Sequence, residues 1–189
     1  MSELVFQTQD TFRALMDATA RTGTIRMLQG AHAPPPLMPA TAAVISSLAD
    51  YETPLWLDAG FSDAPAVLDW IRFTAGARIV EDPREAAFAL ISSARVLPDF
   101  GVFAQGSEEY PDCSTTLIVQ VPQFKGEVIS LCGPGVRDTG GLAVASLPDD
   151  FTARWANNRA LFPRGVDVIL VAGTDIAALP RTVHITRSA

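Results

Sequence analysis

Two histidines, two cysteines, one lysine and a glycine-rich turn are the residues of this chain whose types could do chemistry. His32 sits in a proline-rich run and His184 near the C-terminus, neither with a second ligand at metal-binding spacing. Alternation from Arg181 to Thr186 puts His184 on one strand face with Thr182 and Thr186. That pattern favours a solvated or hydrogen-bonded histidine over a base. Cys113 and Cys132 match no zinc or redox spacing, and no histidine adjoins either in sequence. Gly133-Pro134-Gly135-Val136-Arg137-Asp138 lacks the third glycine of a dinucleotide fingerprint, and its proline removes an amide donor. Arg137 beside that turn could hold a phosphate, but a solvated surface arginine is the simpler reading. Lys125 is followed by Gly126, so the phosphate-loop triplet is missing, and no Gly-x-Ser-x-Gly elbow occurs.

The carboxylates offer little more. Glu108/Glu109 and Asp149/Asp150 are adjacent pairs whose side chains diverge, which suits a loop charge pair and a helix start rather than an acid/base couple. Asp167 differs, because Val166-Asp167-Val168-Ile169 reads as a buried strand. A charge there needs a partner, and Arg164, Arg181 or a helix amide could supply it. A structural salt bridge outweighs a catalytic role.

Several elements must position these residues. Phe12, Leu15, Met16 and Thr19 recur at helical spacing, predicting a helix over Asp10 to Thr19 with Asp10 as N-cap and Gly23 beyond its end. Gly30 to Pro39, with four prolines, reads as a loop or ordered arm. A second amphipathic helix is expected over Thr41 to Asp50, with Val44, Ile45 and Leu48 as its stripe, then a strand over Thr53 to Asp58. Ser62 or Asp63 would cap a third helix holding Pro65, with Val67, Leu68 and Ile71 facing inward. Ala77 to Val80 and Ala87 to Ile91 read as short buried strands. Thr115 to Val121 and Glu127 to Leu131 flank a Gly-containing loop and read as a hairpin with Lys125 at its tip. Cys132 to Gly135 is a turn. A helix is expected after Pro148, with Phe151, Trp155 and Phe162 packing from it. The C-terminal region gives a loop, a strand, a Gly/Asp turn, a second strand, a Pro break at Pro180 and a terminal strand.

This order of elements predicts an α/β fold, a single domain over residues 1–189, with a mixed sheet flanked by helices on both faces. Hydrophobic residues make up 48 % and charged residues 19 %, the profile of a folded chain with a sizeable core. A net charge of −7 argues against nucleic acid or an anionic membrane as partner. Lys125 is the only lysine among 14 basic residues, which excludes lysine chemistry elsewhere. The N-terminal residues carry no signal segment, and the expectation is a cytoplasmic protein with free, mostly buried thiols.

Five stretches in this order resemble the PhnH family, the H subunit of the bacterial carbon–phosphorus lyase core complex. They are Phe12 to Ala18, Asp50 to Leu57, Thr115 to Val121, Leu131 to Val136, and Phe162-Pro163-Arg164-Gly165-Val166-Asp167 running on through Pro180-Arg181. Thr22, where the family commonly has Pro, is a departure at a helix exit. The resemblance implies a fold like the large domain of pyridoxal-phosphate-dependent transferases without the cofactor site, so no cofactor. It implies partner subunits G, I and J, and a complex that displaces adenine from ATP with a phosphonate to give ribose 1-methylphosphonate 5-triphosphate. It implies a homodimer when the chain is isolated. No catalytic or metal-binding residue carries over. Phe162, Pro163, Gly165, Asp167, Pro180 and Arg181 enter as structural motif positions. Two readings follow: a non-catalytic assembly subunit, and a phosphonate- or nucleotide-binding subunit contributing a dispersed site.

Overall fold

A computed structural model describes residues 2–137 and 140–187, with side chains from residue 6 to residue 186. A seven-stranded sheet organises the chain. Its strands are β1 (Arg26–Met27), β2 (Leu55–Leu57), β3 (Ile79–Val80), β4 (Phe88–Ile91), β5 (Thr116–Gln120), β8 (Asp167–Ala172) and β9 (Asp175–Leu179), in the order β1-β9-β8-β5-β4-β2-β3. From β8 to β3 the strands run parallel, while β9 is antiparallel to both its neighbours. A three-stranded antiparallel sheet, β10-β6-β7, is made of β6 (Val128–Cys132), β7 (Gly140–Ala143) and β10 (His184–Arg187).

Both faces of the large sheet are covered, but not alike. Leu90, Ile118 and Ile169 point toward a helical layer of α1 (Ser2–Ala20), α2 (Pro39–Leu48), α3 (Ala59–Ser62) and α4 (Pro65–Thr74). Their strand neighbours Ile91, Leu117 and Leu170 point the other way, onto the small sheet and α5 (Phe151–Ala160). The period-two alternation of a strand buried on both sides produces this division. Helices on both faces were expected, yet one face carries a single long helix and a sheet. The small sheet fills the remainder because β6 and β10 have one apolar face, Ile129, Leu131 and Ile185, and one solvated face, Cys132, His184 and Thr186.

Several local expectations change. Helix α1 begins near the N-terminus rather than at Asp10, and it buries Thr11, Leu15 and Ala18 while Phe12 and Met16 are 48 % and 54 % exposed. Helix α2 starts at Pro39, whose missing amide costs nothing at that position, and Ala40 to Ile45 are buried all round. Neither Ser62 nor Asp63 caps α4, whose N-cap is Ala64 without a side-chain bond; Asp58 caps the short α3 instead. The expected hairpin does not form, since β5 lies in the large sheet and β6 in the small one, and the Lys125 loop carries the chain between layers. Both cysteines are free as expected, but they are exposed rather than buried. Cys132 falls on the outward side of β6, and Cys113 on a 3-10 turn over Pro111–Cys113. No helix among the described residues is long and apolar enough to cross a membrane.

Helix α5 is held by its aromatic residues. Trp155 is fully buried, stacks near Phe151 at 6.1 Å, meets Phe100 edge-on at 5.9 Å and donates its indole N–H to the Val183 carbonyl at 2.8 Å. Burying an indole removes enough apolar surface for about 4–6 kcal/mol of transfer free energy. Phe162 does not join this cluster and is 60 % exposed, because the chain turns out of the helix at Leu161. Further along α5, Asn158 accepts from Val166 N–H at 2.8 Å and donates to Val166 C=O at 2.9 Å, closing the loop that leads into β8. Asn158→Ala strands both buried backbone groups and is expected to cost about 2–3 kcal/mol. Calorimetry should then show the melting temperature falling by about 5–10 °C; a change under about 2 °C would show that this bridge carries little weight.

Candidate functional site

Open α/β sheets take ligands outside the carboxyl ends of their parallel strands. In this chain that crevice is filled by the protein's own polar groups. Asp58, just after β2, accepts from Ser92 N–H at 2.8 Å, Ser92 Oγ–H at 2.7 Å and Phe61 N–H at 3.2 Å. Gln120, the last residue of β5, accepts from Met38 N–H at 2.7 Å and Thr41 Oγ1–H at 2.9 Å, and donates to Pro36 C=O at 3.0 Å. Asp58, Thr41 and Gln120 are all buried. Gln120 thereby fastens the proline-rich arm across the strand ends, and Leu37 packs beneath it. The sequence reading passed over these residues. Gln120, a polar side chain within an otherwise apolar strand, was the signal that could have revealed the network.

The second polar centre lies at the opposite, amino end of β8. Asp167 is met by Arg181, whose Nη2 donates to Oδ2 at 2.5 Å and whose Nε lies 3.2 Å from both oxygens. The backbone N–H of Arg181 adds a bond to Oδ1 at 2.7 Å. Of the partners considered for Asp167, the structure selects Arg181; Arg164 is exposed. Arg181 also donates to Pro111 C=O at 2.9 Å, Pro163 C=O at 3.3 Å and Ser114 Oγ at 2.6 Å. Gly165 completes the centre. Its φ is +118°, and a Cβ there would lie 2.9 Å from Asn158 Oδ1, so the turn can be made only by glycine. Pro180 precedes Arg181 at the end of β9, and Pro163 follows Phe162 through a cis peptide. Pro163, Gly165, Asp167, Pro180 and Arg181 are thus gathered at one place, while Phe162 projects outward.

The other candidates are dispersed. His32 and His184 are exposed and far apart in the fold, on the arm and on β10. Glu108 and Glu109 lie in an exposed loop, and Asp150 pairs with Arg154 at 2.7 Å at the start of α5. No group of three or more His, Cys, Asp or Glu among the described residues could hold a metal ion. A covalent pyridoxal phosphate does not fit, because it needs a lysine in a pocket and Lys125 is exposed on the loop between the two sheets. Arg137 is exposed beside the glycine turn, and Asp138 lies outside the described residues.

Comparison with known proteins bears on this arrangement directly. Residues 1–186 match the family model for the bacterial phosphonate metabolism protein PhnH. The chain belongs to the PhnH family. A PhnH from Rhizobium meliloti (strain 1021), the alpha-D-ribose 1-methylphosphonate 5-triphosphate synthase subunit PhnH, is 43 % identical over 185 residues, covering 97 % of this chain and 92 % of that protein. A protein of Stutzerimonas stutzeri assigned as C-P lyase subunit HtxG is 38 % identical over 81 residues, 42 % of each chain. In this PhnH chain both polar centres hold the fold together, which sets the outcome of mutating them. The Arg181 and Asp167 side chains are 12 % and 32 % exposed, so the pair is partly screened. Asp167→Asn should cost about 2 kcal/mol and Arg181→Ala about 3–4 kcal/mol, since the latter also frees buried acceptors. Urea unfolding should show lower midpoints at an unchanged slope. Losses below about 0.5 kcal/mol for both would remove the pair from its structural role.

Proposed function

We propose that this chain is the H subunit of a carbon–phosphorus lyase core complex, working with subunits G, I and J in phosphonate catabolism. There it supports synthesis of ribose 1-methylphosphonate 5-triphosphate from ATP and methylphosphonate, with an assembly role and no chemistry of its own. The observation that carries the reading is the near full-length similarity to a PhnH subunit of that synthase. The filled carboxyl edge supports the non-catalytic part. Asp58, Ser92 and Gln120 are all committed to internal hydrogen bonds where an α/β protein would otherwise offer a ligand site.

The same reading treats the chain as one domain, supported by two hydrophobic clusters built on opposite faces of one sheet. A likeness to the large domain of pyridoxal-phosphate-dependent transferases is supported by the mixed seven-stranded sheet with its antiparallel β9. The two exposed free thiols suit a reducing, cytoplasmic setting. A homodimer is the expected state of the isolated chain, supported by the exposed apolar side chains Phe6, Phe12 and Met16 on α1. Light scattering at micromolar concentration should give twice the monomer mass of 20.2 kDa; monomer alone would exclude the dimer.

Displacing adenine requires neutralising a triphosphate, stabilising the base as it leaves and aligning the phosphonate oxygen on the ribose. Purified chain with ATP and methylphosphonate should therefore release no adenine above background, and release should appear on adding subunits G and I. Adenine release by the chain alone, abolished by one polar substitution that leaves the melting temperature intact, would overturn the assembly reading. The second reading, a subunit that contributes an anion site, is favoured by one observation: an arginine-lined cleft.

A further inference from the structure

A cleft of about 250 Å³ lies between the exit of α1 and the turn joining β6 to β7, and Arg21, Arg26 and Arg137 line it. The sequence creates it through a close approach. Gly135, at φ +78°, comes so near the end of α1 that a Cβ would fall 2.4 Å from the Ala20 carbonyl oxygen. Only glycine lets the turn dock there, and that docking brings Arg137 opposite the two arginines of the α1 exit.

The charges of the cleft are unbalanced. Asp17 takes the Nε of Arg26 and, at 3.2 Å, the Nε of Arg21. Among the described residues Asp17 is the one side-chain partner of Arg21 and of Arg26, and the Arg137 side chain has none. Among the described residues lining it, three guanidiniums thus stand against one carboxylate, which already holds two of them by their Nε. The carbonyls that end α1 add some negative potential, so surplus cation is needed to attract any anion. In a chain of net charge −7, such a concave positive site is where an anion concentrates.

We infer that this cleft binds a multiply charged phosphorus oxyanion, a phosphate chain or a phosphonate. Guanidinium forks match tetrahedral oxygens two at a time, and three guanidiniums lining one cleft suit a ligand with several charged oxygens better than a single carboxylate. The inference deepens the anion-site reading above and rests on it for the choice of probes. Asp17 then acts as a positioning residue that fixes Arg21 and Arg26 while competing for their charge.

Calorimetric titration of the purified full chain in low-salt buffer tests this, with inorganic tripolyphosphate, ATP and methylphosphonate as probes. Tripolyphosphate should bind one per chain, and rising salt should weaken it. Equal affinity for tripolyphosphate and ATP would identify a phosphate-chain site, and tighter methylphosphonate binding a phosphonate site; both support the inference. Arg137→Gln, at an exposed position, should weaken binding roughly tenfold without moving the melting temperature of the free chain. Asp17→Asn should tighten binding by removing the competing carboxylate, a direction that a purely structural role would not give. No heat from any probe at millimolar concentration, or wild-type affinity in Arg137→Gln, would overturn the site. Either result leaves the assembly reading standing, because that is judged by adenine release in the reconstituted complex.

Discussion

A guanidinium held largely out of water must find acceptors, and Arg181 finds them on two separate segments: Pro163 and Asp167 on the chain running from α5 into β8, and Pro111 with Ser114 on the approach to β5. These segments have no local reason to meet. β5 and β8 are neighbours in the sheet although β6, β7 and α5 intervene in sequence, and Arg181 clamps their amino ends together. The clamp also sits where β9 hands the chain to β10, so the path from the large sheet to the small one is set by the same side chain. Loss of Asp167 leaves a partly buried cation short of acceptors, which is why breaking the pair costs more than the pair is worth against a well-packed apolar replacement.

The other end of the sheet is constrained by Gln120 and Asp58, and their arrangement has a functional consequence. The crevice beyond the carboxyl ends of the strands is the usual ligand site of such sheets. Here the proline-rich arm lies across it, tied by Gln120 to Pro36 and Met38, while Asp58 is saturated by Ser92 and Phe61. A polar side chain whose hydrogen bonds are all internal stabilises the fold and cannot also serve a substrate without rearrangement. A cluster of arginines lies elsewhere, around Arg137, at a place formed by the helix exit and a turn.

Much of the fold was legible because local signals agreed with it. The apolar runs Leu117 to Val119 and Val168 to Val171, the Gly173 turn and the Pro180 break each mark strands or their limits, and all were found. Partnering of strands was not legible, since the loop at Lys125 has hairpin composition whether its flanking strands pair with each other or enter different sheets. The face of α1 misled for a physical reason. Leu15 of the expected stripe is buried, but the buried face runs on through the small side chains of Thr11 and Ala18, which let α1 lie against α2 and β9, and Phe12, Met16 and Thr19 are left exposed. Asp167 announced its need for a partner, and Arg181 was among those considered, because a charge in an apolar strand is a local anomaly. Gln120 carried the same signal and was missed. Arg21 and Arg26 carried no local anomaly at all, since their meeting with Arg137 depends on a long-range contact through Gly135.

The central claim is that the Arg181 centre acts through the fold and not through chemistry, and a double-mutant cycle read in the assembled complex tests it most directly. Asp167→Asn, Arg181→Lys and the double variant would each be combined with the partner subunits, and adenine release from ATP and methylphosphonate followed from low temperature up to each variant's melting range. The account predicts that all three regain wild-type turnover at temperatures where they are folded, and that activity and folded fraction fall together on warming. Turnover lost at every temperature in a variant that is fully folded and fully assembled would contradict it, and would place Arg181 or Asp167 in the reaction itself.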